Sequence, residues 1–169
     1  MKRAAFYAMT GSLLLLAFAG SSVGQPTKTR GGQPASYQVN FRDNDVRAER
    51  LARGLLAKEI AQEEGLPGAN EVRTAWVNVT DAKAPDLFVL YGCSPTGNCG
   101  LYGFERARSG WRLVLNSLAQ RCSILPSSHG GRRDISGYMH GGANEGTIKT
   151  YWWRENRYVR VSERNVIYR

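Results

Sequence analysis

The chain has 169 residues, with 23 Lys and Arg against 14 Asp and Glu for a net charge of +9. That length makes one domain with a modest single core. The charge disfavours basic partners such as lysozymes and favours an anionic envelope polymer, nucleic acid or an acidic protein.

Residues 1–24 have the three parts of a secretory signal peptide. Lys2 and Arg3 form the positive end, Ser12 to Ala19 the apolar run, and Ala19, Gly20, Ser21, Ser22 and Gly24 the small-residue cleavage region. The run is shorter than the about 20 apolar residues that a bilayer span needs. The expectation is an exported chain, periplasmic or secreted, with no transmembrane segment after signal removal. The signal takes two basic residues and no acid with it, leaving 21 basic against 14 acidic, a net +7. Most of the basic residues are Arg, whose planar guanidinium suits carboxylate and phosphate. Residues 25–36, rich in Gly, Pro, Thr and Lys without an apolar period, read as a flexible leader. Residues 37–169 read as a single α+β domain.

Asp43 or Asn44 can cap a helix running to about Glu64, ended by Gly65 and then Leu66-Pro67-Gly68. Ala48, Leu51, Ala52, Leu55, Leu56 and Ile60 make one stripe of that helix, which is expected to lie on a sheet. Gly54 costs about 1 kcal/mol relative to Ala there, through either close packing or simple tolerance. Val72 to Val79, β-branched and aromatic, forms the first long strand. A polar turn from Thr80 to Pro85 leads to the apolar strand Asp86 to Tyr91.

The stretches Ala84 to Leu115 and Arg133 to Val161 align at one offset: Asp86 over Asp134, Phe104 over Trp152, Trp111 over Val159, Leu113 over Val161. A constant offset of this kind marks a diverged internal repeat, each unit reading as a short strand, a Gly-rich loop and a hairpin. Overlapping the start of the first unit, Val77 to Val89, VNVTDAKAPDLFV, resembles the strand, loop and strand of bacterial FG-GAP or VCBS-type repeats, with a weaker trace at Arg133-Asp134-Ile135. Those repeats build integrin-like β-propellers, and their loop commonly reads D-x-D-G-D-G-x-x-D-L. In that family the loop acids bind calcium, whereas here Asn78, Thr80 and Ala82 stand where three of them would be and only Asp86 remains. Calcium takes about six to eight oxygen ligands, several of them carboxylate. No metal or cofactor is therefore assigned. A full propeller also needs about four or more blades. The expected fold is α+β: one N-terminal amphipathic helix packed on a mainly antiparallel sheet built from two propeller-like hairpin units.

Cys93 and Cys99 flank Ser94 to Asn98, and in an exported chain the simplest pairing is a disulfide closing that loop. Cys122 is left over, best read as a buried thiol, since free Cys behaves as a small apolar residue. The one enzyme reading uses it as the nucleophile of a thiol-dependent hydrolase, with His129 or His140 as base and Asp134 between them in the chain. No local signature supports that chemistry, and no catalytic residue is assigned. The His129-Gly130-Gly131 and His140-Gly141-Gly142 loops lack a phosphate-loop Lys and a following helix.

Alternation assigns the hairpin faces. In the first unit a four-residue loop from Ala107 to Gly110 pairs Phe104 with Leu113, Tyr102 with Leu115, and Glu105 with Arg112 on a watery face. In the second, a Glu155-Asn156 turn sets Arg154 opposite Arg157, Trp153 opposite Tyr158 and Trp152 opposite Val159. Ile148, Trp152, Val159 and Val161 then form a core face. Lys149, Tyr151, Trp153, Tyr158 and Arg160 form an aromatic and basic face that a partner would cover. The expected binding residues are Tyr151, Trp153, Arg154, Arg157, Tyr158 and Arg160, in a non-enzymatic binding or envelope-associated protein.

Overall fold

The computed structural model describes residues 35–63, 71–80 and 84–168; the expected signal peptide, most of the leader and the helix-ending segment after Glu63 lie outside them. The described residues form two helices and nine strands. In chain order these are β1 (Tyr37–Gln38), α1 (Val46–Leu55), α2 (Ala57–Gln62), β2 (Val72–Val77), β3 (Asp86–Tyr91), β4 (Cys99–Ala107), β5 (Gly110–Ala119), β6 (Arg121–His129), β7 (Arg132–His140), β8 (Glu145–Arg154) and β9 (Arg157–Ile167). Every strand pairing is antiparallel. The strands make two sheets rather than one: β2-β3-β4-β5, and β1-β6-β7-β8-β9. Each sheet contains a four-strand meander of chain neighbours.

The layering follows from β3. All six of its residues, DLFVLY, are buried, which is how a strand covered on both faces reads in sequence. Phe88 and Leu90 point into a core between the sheets, shared with Leu101, Leu115, Ile124 and Ile135. Leu87, Val89 and Tyr91 alternate to the opposite face, where Ala48, Ala52 and Leu56 of the helical segment pack on them. The result is three layers: helices, four-stranded sheet, five-stranded sheet.

The single helix expected from Asp43 or Asn44 to Glu64 is two short ones that meet at the buried Leu56. The cap is Asp45 rather than either residue before it: Oδ1 accepts from Ala48 N at 3.0 Å, while Oδ2 accepts from Trp76 Nε1 at 3.0 Å. One carboxylate thus caps the helix and ties it to β2. Gly54 is exposed, and a Cβ there would meet nothing within 4 Å, so tolerance and not close packing explains it.

The β4–β5 connection is tighter than expected. Ala107 pairs with Gly110 directly across a two-residue turn, and Phe104–Leu113 and Glu105–Arg112 face each other as anticipated. A register shift at Gly103/Phe104 then moves Tyr102 opposite Asn116 instead of Leu115. In β8–β9 the turn is Glu155-Asn156, both at positive φ (49° and 62°), as a two-residue hairpin turn of this hand requires. Arg154–Arg157, Trp153–Tyr158 and Trp152–Val159 pair as expected.

The faces of that hairpin, however, are reversed. Tyr151 and Tyr158 are 4% and 7% exposed and belong to the core between the sheets, with Trp153 packed against them. Trp152 and Val159 lie on the other face. The exchange is possible because both phenols are satisfied when buried: Tyr158 donates to Arg133 O at 3.1 Å, and the Tyr151 hydroxyl bonds Ser117 Oγ. A register shift at Thr150/Tyr151 leaves Val161 without a direct partner, removing one of the residues on which the aliphatic face was assigned.

Candidate functional site

The outer face of the five-stranded sheet, at the end where the β6–β7 and β8–β9 turns lie, gathers polar and aromatic groups. Asp134 on β7 is 1% exposed on a face that otherwise meets solvent. Two donors cover its carboxylate: Ser127 Oγ at 2.6 Å and His129 Nδ1, at 2.8 and 2.9 Å from the two oxygens. The Trp152 ring stacks on His129 with centroids 3.7 Å apart and planes 12° from parallel. The Arg154 guanidinium carbon lies 5.1 Å from the centre of the Trp152 ring. Directly across the strand pair stands Arg157.

Local backbone explains how this cluster is positioned. The β6–β7 turn is Gly130-Gly131, at φ 59° and 78°, a conformation that glycine adopts without penalty. A Cβ on Gly130 would also sit 2.8 Å from Trp153 Cδ1 and 2.9 Å from Trp153 O. The turn can therefore press against β8 only as glycine. The His-Gly-Gly motif reports this close approach.

The six expected binding residues part company here. Tyr151 and Tyr158 are in the core. Trp153 is half-buried, its ring edge-on to Tyr158 (5.2 Å, 73°) and under the Arg132 guanidinium at 3.9 Å. Arg160 is exposed but paired with Glu163. Arg154 and Arg157 remain exposed, and neither makes an ion pair among the described residues. Trp152, His129 and Asp134 take the places of the residues lost to the core.

Cys122 is fully buried, and burial pushes its thiol up to about 12. It pairs with Gly137, so His140 lies about 10 Å further along β7 and His129 about 20 Å along β6. His129 is held by Asp134, and the His140 backbone is held by the Asn98 side chain. The hydrolase arrangement of Cys122 with either histidine is not assembled.

A second polar cluster lies between the sheets. Arg132 of β7 contacts Asp86 Oδ2 on β3 through Nη1 at 3.0 Å and Glu105 on β4 through Nη2, while Arg112 of β5 holds the other Glu105 oxygen. Glu105 is only 6% exposed. Its expected pairing with Arg112 forms, but with the Glu105 side chain buried beside Arg132 while Arg112 stays exposed. Burial raises Asp86 to about 6, with Arg132 opposing the rise and Glu105 adding to it. Arg132 is shared by both carboxylates, and Glu105 has Arg112 as a second cation. Asp86, the one acid matching the propeller-repeat loop, is engaged by Arg132.

Cys93 and Cys99 form the expected disulfide. Comparison of the chain with protein-family models, with curated proteins and with solved structures finds no match.

Proposed function

We propose that this is an exported, non-enzymatic binding protein for an anionic partner. Its contact surface is the turn end of the outer sheet face, built from Arg154 and Arg157 beside Trp152 and His129. The observation that carries this reading is the direct opposition of Arg154 and Arg157. Like charges facing each other across a strand pair destabilise a hairpin, and neither is relieved by an acid among the described residues. Two exposed guanidiniums side by side suit a phosphate or carboxylate, which each can bind in bidentate fashion. The overall positive charge adds long-range attraction. An anionic envelope polymer or an acidic protein fits this surface; nucleic acid has the same charge but no recognition motif here. The signal-like residues 1–24 support export, as does the disulfide, which persists in oxidising compartments.

We also propose that the two meanders, β2–β5 and β6–β9, descend from one duplicated unit related to propeller-type repeats. In support, the residues aligned at one offset fall on corresponding strands: Asp86 and Asp134 on the second, Phe104 and Trp152 on the third, Trp111 and Val159 on the fourth.

Binding of the purified protein to polyphosphate, polygalacturonate, poly-glutamate and duplex DNA, each between about 50 and 200 mM salt, tests the surface. Arg154→Ala with Arg157→Ala is expected to weaken capture and to reduce the salt slope by up to about two. Trp152→Ala should weaken capture with little change in slope. Wild-type protein that binds none of the four, or a double variant that binds as wild type, overturns the reading.

A further inference from the structure

We propose that Cys93–Cys99 is a thiol–disulfide exchange site whose substrate is a dithiol, with Arg73 stabilising its reduced form. The geometry is independent of the outer-face surface. Arg73 on β2 directs Nη2 at both sulfurs, 3.1 Å from Cys93 Sγ and 3.4 Å from Cys99 Sγ. A disulfide is a weak acceptor and gains little from a guanidinium. A thiolate gains a charge-assisted contact from the same placement, so the cation favours the reduced pair over the oxidised one. Among the described residues the one acid on this guanidinium is Glu71, whose Oε1 lies 3.0 Å from Nε and whose side chain is half exposed.

The two sulfurs differ in access. Cys93 is 8% exposed and Cys99 fully buried, so an incoming thiolate meets Cys93 first. Its attack on Cys93 Sγ forms a mixed disulfide, breaks the bond to Cys99 and releases Cys99 as a thiolate beside Arg73. The second thiol of the substrate, deprotonated to solvent, then attacks its own partner sulfur in the mixed disulfide and releases Cys93 as a thiolate. Two electrons pass from the dithiol to the cysteine pair, and the substrate leaves as a disulfide.

The exchange has a structural consequence. The loop closed by the disulfide presents Asn98, whose Nδ2 donates to His140 O at 2.7 Å and whose Oδ1 accepts from His140 N at 2.9 Å. This side chain joins the start of β4 in one sheet to the end of β7 in the other. Opening the disulfide frees the loop and loosens that clamp.

The test equilibrates the intact protein with graded ratios of reduced to oxidised dithiothreitol, traps free thiols by alkylation and counts them by mass. Wild type is expected to reduce while still folded. Arg73→Met should need a ratio about tenfold more reducing, equivalent to about 30 mV for this two-electron couple. Glu71→Gln, which releases the guanidinium from its competing acid, should shift the midpoint the opposite way. Melting of the oxidised forms establishes that each variant is folded. A wild-type disulfide that is reduced only after unfolding, or a folded Arg73→Met with an unchanged midpoint, overturns the proposal. If Arg73→Met does not fold, an unchanged midpoint in Glu71→Gln overturns it.

Discussion

Replacing Arg132 by Leu isolates the polar latch between the sheets. Arg132 is the cation shared by Asp86 and Glu105, which are 8% and 6% exposed. Removing one partner of a buried ion pair leaves an uncompensated charge and costs about 3 to 5 kcal/mol, a large fraction of the about 5 to 15 kcal/mol that holds a domain together. The melting temperature should fall by roughly 10 to 20 °C. Part of that loss comes from the Trp153 ring under the guanidinium, about 1 kcal/mol that does not vary with pH. The carboxylate part does vary. In the wild type Asp86 titrates at about 6 when folded, against 3.8 ordinarily. The folded state therefore holds the proton more tightly between those values, and through this group stability declines as pH rises from about 4 to about 6. The full penalty, about 3 kcal/mol, is present above that window and absent below it. Without Arg132, which lowers this carboxyl, the window extends upward and the penalty at pH 7.5 grows. Urea denaturation of wild type, Arg132→Leu, Asp86→Asn and the double variant at pH 7.5 and pH 5 reads this directly. Arg132→Leu should lose more at pH 7.5 than at pH 5, and Asp86→Asn should restore part of the loss at pH 7.5 only. Equal losses at both pH values, with no recovery from Asp86→Asn, would refute the shared-cation argument.

Four further outcomes rest on the packing. Gly54→Ala should raise stability by about 0.5 to 1 kcal/mol in the same denaturation assay, since the new Cβ meets open space on a helix. Asp45→Ala removes both the cap and the acceptor for the Trp76 indole, and should cost about 1 to 3 kcal/mol. Tyr158→Phe should cost about 1 to 3 kcal/mol by leaving the part-buried Arg133 carbonyl without this donor, whereas Trp152→Ala should destabilise less than Trp153→Ala.

Some of the strands were legible because their signals are local, whereas β6 and the division into two sheets were not. The uninterrupted apolar run of β3, the Glu155-Asn156 turn and the spacing of Cys93 and Cys99 each depend on a few adjacent residues, and each stands where the sequence places it. What was not legible depends on contacts distant in the chain. Asp43, Asn44 and Asp45 are equally good caps in isolation; Asp45 is selected because its second oxygen also receives the Trp76 indole, 31 residues away. Glu105 opposite Arg112 looks like a surface pair until Arg132 arrives from the other sheet, 27 residues further on.

The hairpin faces were misread for a related reason. A period of two separates the residues of β8 and β9 into two sets but cannot say which set is inside. That choice was made on hydropathy, which favours Val159 and Val161 over Tyr151, Tyr158 and Arg160. Hydropathy assigns a Tyr hydroxyl a fixed cost, yet the cost vanishes when the hydroxyl finds a partner, as Tyr158 does at the Arg133 carbonyl and Tyr151 at Ser117. Relieved of it, Tyr151 and Tyr158 contribute two large rings to the core where Val159 would contribute a small side chain. Trp152 then goes outside with Arg154 and Arg157, against His129. The reversal keeps Arg154 and Arg157 of the expected arginines and changes the aromatic beside them. In the proposed contact surface the aromatic part falls to Trp152, because Trp153 is already engaged by Tyr158 and Arg132 of the same chain.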